Sequence, residues 1–375
     1  MRKLLVIKLS VFIMLTFAAC VDNVETQDLA GAQEAQDKTA IQNDMLTRDS
    51  YSDVEGQSSL SAEGTPTYIT ISDVQFSTSL TELDLDLISS DLTNEDVAQL
   101  RYMVNLTRLN LGWNDQVTDI DPFTELINLE SISMQWSQVN DITPLAGLEN
   151  LTALELNKAK VSDISPLSRL TSLTHLSLGI NQISDITPLL ELTNLTHLSL
   201  GGNQISDITP LSELTNLNHL LLSNNQINDI TSLAYLVNLS HLDLGSNQLS
   251  NITPLAELEN LTHLFLPFNQ ISDIAPLEGL ANLQLFVTQN NQISNIAPLA
   301  GLAYLSYLTL NDNQISDLTP LAGLTNLVAL GLSRNQISDL TPLTGLVNLR
   351  QLSLNGNPIT DWSPVAHVDI VTGRP

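Results

Sequence analysis

A histidine returns at the same place in five consecutive stretches of this sequence, 22 residues apart each time. One stretch reads LTNLTHLSLGGNQISDITPLSE, from Leu192 to Glu213, and the next nearly repeats it. A neutral imidazole can donate and accept hydrogen bonds, bind a transition metal, or take up a proton near neutral pH. Imidazoles in register could therefore form a site. They are His175, His197, His219, His241 and His263.

Three interpretations of this histidine column remain open. Duplicated units carry copies of their histidines, which then form a solvated stack with no ligand. Alternatively, neutral imidazoles form a ridge that donates to, accepts from and stacks against a partner. The third is a metal or pH-sensitive site, but only Asp243 and Glu155 stand on nearby strand positions as additional ligands. We therefore predict no metal site, and we expect the column to titrate as a coupled set.

Apolar and aromatic residues recur beside the histidine column. We predict an exposed apolar patch next to it, because exposed aromatic residues in a cluster indicate a partner surface. Trp113 and Trp136 occupy equivalent positions in adjacent units and are predicted to form a second anchor. The alternative is that these side chains only pack on neighbouring units. The predicted patch comprises Leu221, Phe265, Val287, Phe268 and Tyr307.

The elements that must position these residues follow from a repeat. The pattern L-x-x-L-x-L returns every 22 residues, except for a step of 23 where Asp115 is inserted, and Leu80-x-x-Leu83-x-Leu85 is an earlier, irregular unit. One coil cannot bury its apolar face alone, whereas stacked coils can. The first leucines are Leu106, Leu129, Leu151, Leu173, Leu195, Leu217, Leu239, Leu261, Leu283, Leu305, Leu327 and Leu349.

Each unit predicts a strand, a turn and a tight helical segment. Leu198 and Leu200 alternate with polar neighbours, which is the period of a strand, so His197 must point out of the sheet. In Thr209-Pro210-Leu211, the threonine is expected to cap and the proline to occupy the first position of a 3₁₀ turn.

An asparagine follows each strand, flanked by core residues. An inward-pointing amide can satisfy backbone groups of its own coil and of the adjacent one, so we predict a buried ladder rather than a set of surface turns. The ladder comprises Asn181, Asn203, Asn225, Asn247, Asn269, Asn291, Asn313, Asn335 and Asn357.

An aspartate also recurs, two residues before each Thr-Pro-Leu position. We favour local turn capping over calcium binding, because the glycine-rich nonapeptide of calcium-binding coils is absent. The positions are Asp119, Asp141, Asp163, Asp185, Asp207, Asp229, Asp273, Asp317, Asp339 and Asp361.

The unit resembles the leucine-rich repeat L-x-x-L-x-L-x-x-N-x-L, and its 22-residue form with N-Q-I-S-D-I-T-P-L is similar to the internalin type of bacterial surface proteins. The resemblance covers Leu106 to Pro358. It implies an α/β solenoid that is curved, with a parallel sheet on the concave face and 3₁₀ segments on the convex face. It also implies that the concave face binds other proteins. No immunoglobulin-like module or cell-wall sorting motif follows, so host-cell invasion is not implied.

The N-terminus has the pattern of a secretion signal. Arg2, Lys3 and Lys8 precede a mostly apolar run, Leu9 to Ala19, that is too short to cross a bilayer. The sequence up to Cys20 resembles a bacterial lipobox, which implies cleavage before the cysteine and lipidation of its thiol. An ordinary secretory signal is the alternative. Because Cys20 is the only cysteine, no disulfide can form within the chain.

Composition and organisation limit the function. The formal net charge of −28 repels nucleic acid and anionic lipid. We find no nucleophile–base pair, phosphate loop or metal-spaced cluster, so we expect neither catalysis nor a cofactor. The predicted domains are a signal peptide (1–19), a disordered acidic tether (20–67), an N-terminal cap with the irregular repeat (68–105), the repeats (106–357) and a C-terminal cap (358–375).

Two functions from different classes fit this organisation. The first is a monomeric, lipid-anchored protein of the bacterial cell envelope that binds a protein, or a glycan, on its concave face. The second is a structural spacer of the envelope without a specific ligand. Patchy variation on the concave face over uniform core columns favours the first.

Overall fold

The computed structural model describes residues 66–85 and 92–374. The signal peptide, Cys20 and nearly all of the predicted tether lie outside these residues. In the described part, a parallel sheet contains fourteen strands that pair strictly in chain order. Its strands are β3 Glu82–Asp84, β4 Arg108–Asn110, β5 Ser131–Ser133, β6 Ala153–Glu155, β7 His175–Ser177, β8 His197–Ser199, β9 His219–Leu221, β10 His241–Asp243, β11 His263–Phe265, β12 Leu285–Val287, β13 Tyr307–Thr309, β14 Ala329–Gly331, β15 Gln351–Ser353 and β16 Ile370–Thr372.

One coil of 22 residues forms one layer of the solenoid, as the repeat predicts. Strand register places identical positions side by side, for example Leu198 opposite Leu220. The inward residue of each strand from β3 to β15 is buried in a single continuous core that runs along the coils, and Val371 of β16 is partly buried against it. The predicted solenoid, with its parallel sheet and 3₁₀ segments, is therefore confirmed.

The 3₁₀ segments form the other side of each coil. Leu211 and Leu214, three residues apart, are both fully buried there. The segments are Gln99–Tyr102, Asp121–Glu125, Thr143–Leu145, Ser165–Leu167, Thr187–Leu189, Thr209–Leu211, Thr231–Tyr235, Thr253–Leu255, Ala275–Leu277, Ala297–Gly301, Thr319–Leu321, Thr341–Leu343 and Ser363–Val365.

The predicted role of threonine at these segments was wrong. Ile208, not Thr209, precedes the 3₁₀ turn and makes no side-chain cap, while Pro210 is its second residue. Thr209 is a donor instead, because its N–H and its hydroxyl both reach Asp207 Oδ1, at 2.9 and 2.7 Å. A carboxylate two residues earlier is a stronger acceptor than a hydroxyl, so the aspartate organises the turn.

The N-terminal region is a hairpin followed by a short helix. Strands β1 (Tyr68–Ile71) and β2 (Val74–Ser77) pair antiparallel. Helix α1 (Asn94–Ala98) begins at Thr93, which forms a capping box with Asp96. The same aspartate also accepts from Ser72 N at 3.1 Å, so it links the hairpin turn to the helix.

The sheet extends beyond the regular repeats at both ends. Strand β3 pairs with β4, as expected of the irregular unit at Leu83. At the other edge, β16 pairs with β15, so the segment predicted only as a cap also contributes a strand to the sheet. Within the two described ranges, we see no helix with the length and apolar character needed to span a membrane.

Candidate binding face of the parallel sheet

The five column histidines open strands β7 to β11 and lie side by side in register. Their rings stack, with centroids 4.1 to 4.4 Å apart and planes inclined by 12 to 13°. Neighbouring strands are normally 4.7–4.9 Å apart, so the side chains converge above the sheet. Convergence is expected on the concave side of a curved sheet, and the rings therefore lie on that side.

A hydroxyl one residue earlier holds most of these rings. His175 Nδ1 lies 2.8 Å from Thr174 Oγ1, and the same contact recurs for His197, His241 and His263 at 2.8 to 2.9 Å. His219 differs, since its Nδ1 is buried without a hydrogen-bond partner. Sequence reasoning missed this difference, although Asn218 stands where the other four coils have a threonine or a serine.

The environment of the column favours the neutral form of four of its five rings. Burial, reinforced by the neighbouring imidazoles, lowers the pKa of His197 to about 4 and that of His241 to about 3. Burial also lowers the pKa of His219 and of His263. At neutral pH these four rings therefore offer polar but uncharged nitrogen atoms. Its coupled titration stays a prediction.

The geometry does not favour metal chelation. The imidazole lone pairs lie in nearly parallel ring planes, so those of adjacent rings do not converge on one ion. Among residues 66–85 and 92–374, no three histidine, cysteine or acidic side chains are placed to hold a metal. Asp243 is instead a structural group. Burial raises its pKa, and its carboxylate accepts from Gly245 N at 2.9 Å.

The apolar patch beside the column is smaller than expected. Leu221 and Phe268 are 40% and 51% exposed, and Phe265 and Tyr307 are partly buried. Val287 is only 6% exposed, so its predicted place in the patch was wrong. It lies in register between Phe265 and Thr309, where a short side chain on a concave surface is shielded by its neighbours.

The two tryptophans form a stack of their own. The Trp113 and Trp136 rings have centroids 4.5 Å apart and planes inclined by 17°. Lys158 Nζ, from the next coil, lies 3.1 Å from the centroid of the Trp136 ring, which is a cation–π contact. The predicted pair is therefore a three-membered column with a positive charge at one end.

These aromatic residues occupy a left-handed backbone position that sequence reasoning missed. Trp113 and Trp136 both have φ of +64°, and Phe268 has φ of +55°. The same position is glycine in only two regular coils, at Gly202 and Gly356. Its N–H donates to a carbonyl of the next coil, as from Trp113 to Gln135 at 2.7 Å. That bond holds the turn even where a bulky residue disfavours it.

The asparagine ladder has the geometry that its spacing suggested. Asn203 Nδ2 donates to Leu200 O of its own coil at 2.9 Å and to Leu178 O of the previous coil at 3.0 Å. Its Oδ1 accepts from Ile183 N at 3.0 Å. The pattern recurs at all nine predicted positions.

Sequence reasoning missed an earlier member of this ladder. Asn114 donates to Leu111 O and accepts from Leu92 N. Ser137 and Ala159 occupy the next two positions, and the Ser137 hydroxyl is buried without a partner.

A second, exposed asparagine ladder was also missed. The residue before the first leucine of a coil donates its Nδ2 to a carbonyl of the previous coil, as from Asn194 to Thr171 at 2.9 Å. Its recurrence every 22 residues was the available signal. The members are Asn105, Asn128, Asn150, Asn194, Asn216, Asn238, Asn260, Asn282, Asn326 and Asn348.

The aspartate column caps the turns, as we favoured. All ten carboxylates accept from the backbone N–H two residues later, at 2.8 to 2.9 Å. Hydrogen bonds from the Thr209 N–H and hydroxyl lower the pKa of Asp207. Asn251 and Asn295 occupy the same position and accept the same bond without a charge.

Comparison with known families gives one consistent result. The family described as Leucine Rich repeats (2 copies) matches residues 149–191, 171–213, 193–235, 215–257, 259–301, 305–344 and 325–367, which together span more than half of the chain. A related family described as Leucine Rich repeat matches residues 102–120. No curated protein sequence matches the chain.

Solved structures of similar fold come from bacteria and plants. An internalin, inlF, from Listeria monocytogenes is 35% identical with a TM-score of 0.77, covering 80% of this chain and 90% of its own. A leucine-rich repeat protein of Leptospira interrogans is 26% identical with a TM-score of 0.69, covering 78% of each chain. The ectodomain of a plant receptor kinase from Arabidopsis thaliana, solved in complex with CASPARIAN STRIP INTEGRITY FACTOR 2, is 20% identical. Its TM-score is 0.56, over 73% of this chain and 38% of its own, and it shows the fold alone.

Proposed function

The chain belongs to the leucine-rich repeat proteins and is internalin-like, and on this premise we propose that it is a bacterial surface protein whose concave face binds a protein ligand. The observation that carries the proposal is the composition of that face. Beneath it the coils share a mainly leucine and isoleucine core, whereas the face itself changes from stacked tryptophans to histidines and exposed apolar residues. A surface that only spaces other components needs no such variation.

The binding region centres on strands β7 to β11. Neutral imidazoles supply hydrogen-bonding groups, and Leu221 and Phe268 supply exposed apolar area directly beside them. This combination of polar and aromatic groups is typical of the energetically important centre of a protein interface. The Trp113–Trp136–Lys158 stack is a second contact region on earlier coils.

The attachment of the protein belongs to the same proposal. The basic start, the apolar run and Cys20 support secretion across the cytoplasmic membrane and a lipid anchor in the envelope. The acidic segment that follows would hold the repeats away from the bilayer, and the protein would act as a monomer. An envelope spacer without a ligand remains the competing function, and a glycan the competing ligand.

A partner capture with matched variants tests the proposal. The secreted chain from Val21 onward serves as bait, beside a variant with His219, His241, Leu221 and Phe268 changed to serine. Serine already stands at each of these repeat positions, at Ser131, Ser133 and Ser246, so each coil should accept it. The control variant changes Tyr304→Ser and Val347→Thr, which are 62% and 67% exposed away from the sheet.

The three baits distinguish the functions. We expect the wild type and the control to retain the same surface protein and the concave-face variant to lose it, with equal melting temperatures for all three. If all three retain the same molecules, or none retains any, the concave face of β7 to β11 is not a receptor. A spacer role is then favoured.

A further inference from the structure

The five column histidines do not present the same atom types to a ligand. Thr174 Oγ1 donates to Thr152 O at 3.1 Å, and Thr196 and Thr262 make the same bond to the previous coil. A hydroxyl has a single proton, which these bonds use. With its proton directed to that carbonyl, which also accepts backbone N–H groups, each hydroxyl accepts the contact from its histidine ring. Three rings consequently carry their proton on Nδ1, namely His175, His197 and His263.

By the same argument, the ring proton of His241 lies on Nδ1. Asn218 Nδ2 donates to Asn238 O at 3.0 Å, so its Oδ1 faces Ser240 and accepts from the serine hydroxyl at 2.9 Å. The serine proton is thus used, and the contact of His241 Nδ1 with Ser240 Oγ at 2.8 Å is again donated by the ring. All four histidines leave an unprotonated Nε2 on the side away from the tethering hydroxyl.

His219 has the opposite arrangement. It follows Asn218, whose amide turns to the next coil, so no hydroxyl is available and Nδ1 is buried without a partner. A buried N–H without an acceptor is disfavoured more strongly than an unused lone pair. The proton therefore belongs on Nε2, where water or a ligand can accept it.

We propose that the histidine column presents a fixed pattern of acceptor, acceptor, donor, acceptor, acceptor, and that its ligand is a cationic segment of a protein partner. This inference rests on the proposed function of the concave face. Lysine and arginine side chains are donors only and suit four Nε2 acceptors. The donor at His219 requires an oxygen atom between them, such as a backbone carbonyl.

Charge favours a cationic ligand over an acidic one. The chain carries 41 acidic and 13 basic residues, and the exposed Glu155 stands on the same face of β6, beside the first strand of the histidine column. An acidic segment would be repelled by this negative charge. It would also find four Nε2 acceptors that cannot donate a hydrogen bond to its carboxylates. A cationic segment is attracted by the field and finds a partner for each donor.

The tautomers can be measured on the free protein. Nitrogen-15 NMR of the imidazoles near pH 7 should show four column rings protonated at Nδ1 and one, His219, protonated at Nε2. The sixth histidine, His367, lies outside the column and donates from Nε2 to Leu346 O at 3.1 Å, so its signal must be assigned separately. Asn218→Thr supplies the missing hydroxyl and should convert His219 to the Nδ1 form. Because it also removes the Oδ1 acceptor of Ser240, the unchanged reference rings are those of His175, His197 and His263. Finding the same tautomer for all five column rings in the wild type, or no change of His219 in the variant, would overturn the pattern.

A titration tests the ligand class. A lysine-rich peptide of about ten residues is added at about 0.15 M salt, where weak long-range attraction is largely screened. We expect the Nε2 shifts of the four acceptor rings to move, and a glutamate-rich peptide to leave them unchanged. If the lysine-rich peptide binds without moving the Nε2 shifts, it binds elsewhere, for example at the exposed aspartates. That result would overturn the proposal of a cationic ligand for the histidine column. The tautomer result does not depend on a partner, so failure of the capture experiment and failure of the pattern are distinguishable.

Discussion

A single buried asparagine side chain satisfies backbone groups of two coils at once. Asn225 Oδ1 accepts from Ile205 N at 3.0 Å, and its Nδ2 donates to Leu200 O and Leu222 O at 3.0 Å each. No other side chain of this size provides one acceptor and two donors in a plane. The recurrence of asparagine in the repeat therefore has a physical cause in the turn that follows each strand.

We expect Asn225→Ala to lower the free energy of unfolding by about 1–3 kcal/mol, because it leaves buried backbone groups unsatisfied. Asn216→Ala is the matched control in the same coil. Asn216 makes one exposed bond, to Thr193 O at 2.9 Å, and its loss should cost about 0.5 kcal/mol. Urea denaturation of the two variants measures the difference, and equal losses would contradict a special role for the buried ladder.

The exposed ladder lacks a member at Tyr304, where the side chain is 62% exposed. Tyr304→Asn would place an amide opposite Ala281 O, as Asn282 and Asn326 do for their own previous coils. We expect a gain in unfolding free energy of about 0.5–1 kcal/mol from the new bond. Thermal denaturation beside Tyr304→Ser, which removes the ring without adding the amide, checks this. Equal melting temperatures for both variants would refute it.

At the residue scale, the 22-residue period was enough to predict the side chains that recur in every coil. Contacts that depend on local backbone geometry could not be predicted from it. The inward asparagine was predictable because core residues flank it. The threonine cap was wrong because the hydroxyl donates its proton to the neighbouring carboxylate of Asp207, a contact that only the coordinates show. The left-handed φ of Trp113 and Trp136 gave no signal, because tryptophan is not a residue that such a turn favours.

At the scale of the element, a strand of three residues is stable only as part of a stack. Each coil contributes one such strand, and the parallel ladder aligns every column of the repeat. The 22-residue period therefore determined both the strand positions and the direction of the histidines. It could not determine β1, β2 or β16, because these strands lie where the repeat is irregular or ends.

Burial of the histidines on β8 to β11 is expected to make the sheet sensitive to acid. The pKa of His197 is lowered from 6.5 to about 4 and that of His241 to about 3, so the unfolded chain binds more protons than the folded one below about pH 6.5. Stability should therefore fall as pH drops from about 6.5 towards 4. The capping aspartates have pKa values lowered from 3.8, so their contribution to the free energy of unfolding is lost only below about pH 3.8. They therefore do not affect stability between pH 6.5 and 4.

Replacing His197 and His241 by glutamine, which the same column carries at Gln351, should flatten that dependence. The measurement is urea denaturation of wild type and double variant at about pH 7 and about pH 5. Asp243, whose pKa burial raises, shifts stability in the opposite direction, but it is present in both proteins and cancels in the comparison. Parallel losses in the two proteins would show that the histidines do not cause the acid sensitivity.

At the scale of the whole molecule, repulsion between negative charges destabilises the folded chain. Part of the net charge of −28 is concentrated in the aspartate column, where carboxylates of successive coils repel one another. The carboxylates are retained as caps, yet Asn251 and Asn295 show that an amide accepts the same backbone bond. Capping and repulsion can therefore be separated by experiment.

We expect the triple variant Asp185→Asn, Asp207→Asn, Asp229→Asn to melt at a higher temperature than the wild type at about 0.01 M salt. At about 1 M salt, where screening acts within about 3 Å, this advantage should disappear. The corresponding triple alanine variant loses the caps as well and should melt lower than the wild type at both salt concentrations. If the asparagine variant is destabilised like the alanine variant, the negative charge itself is needed at the turn. In that case calcium titration of the wild type becomes the decisive measurement, because a cation bound along the column would explain why the carboxylates must be charged.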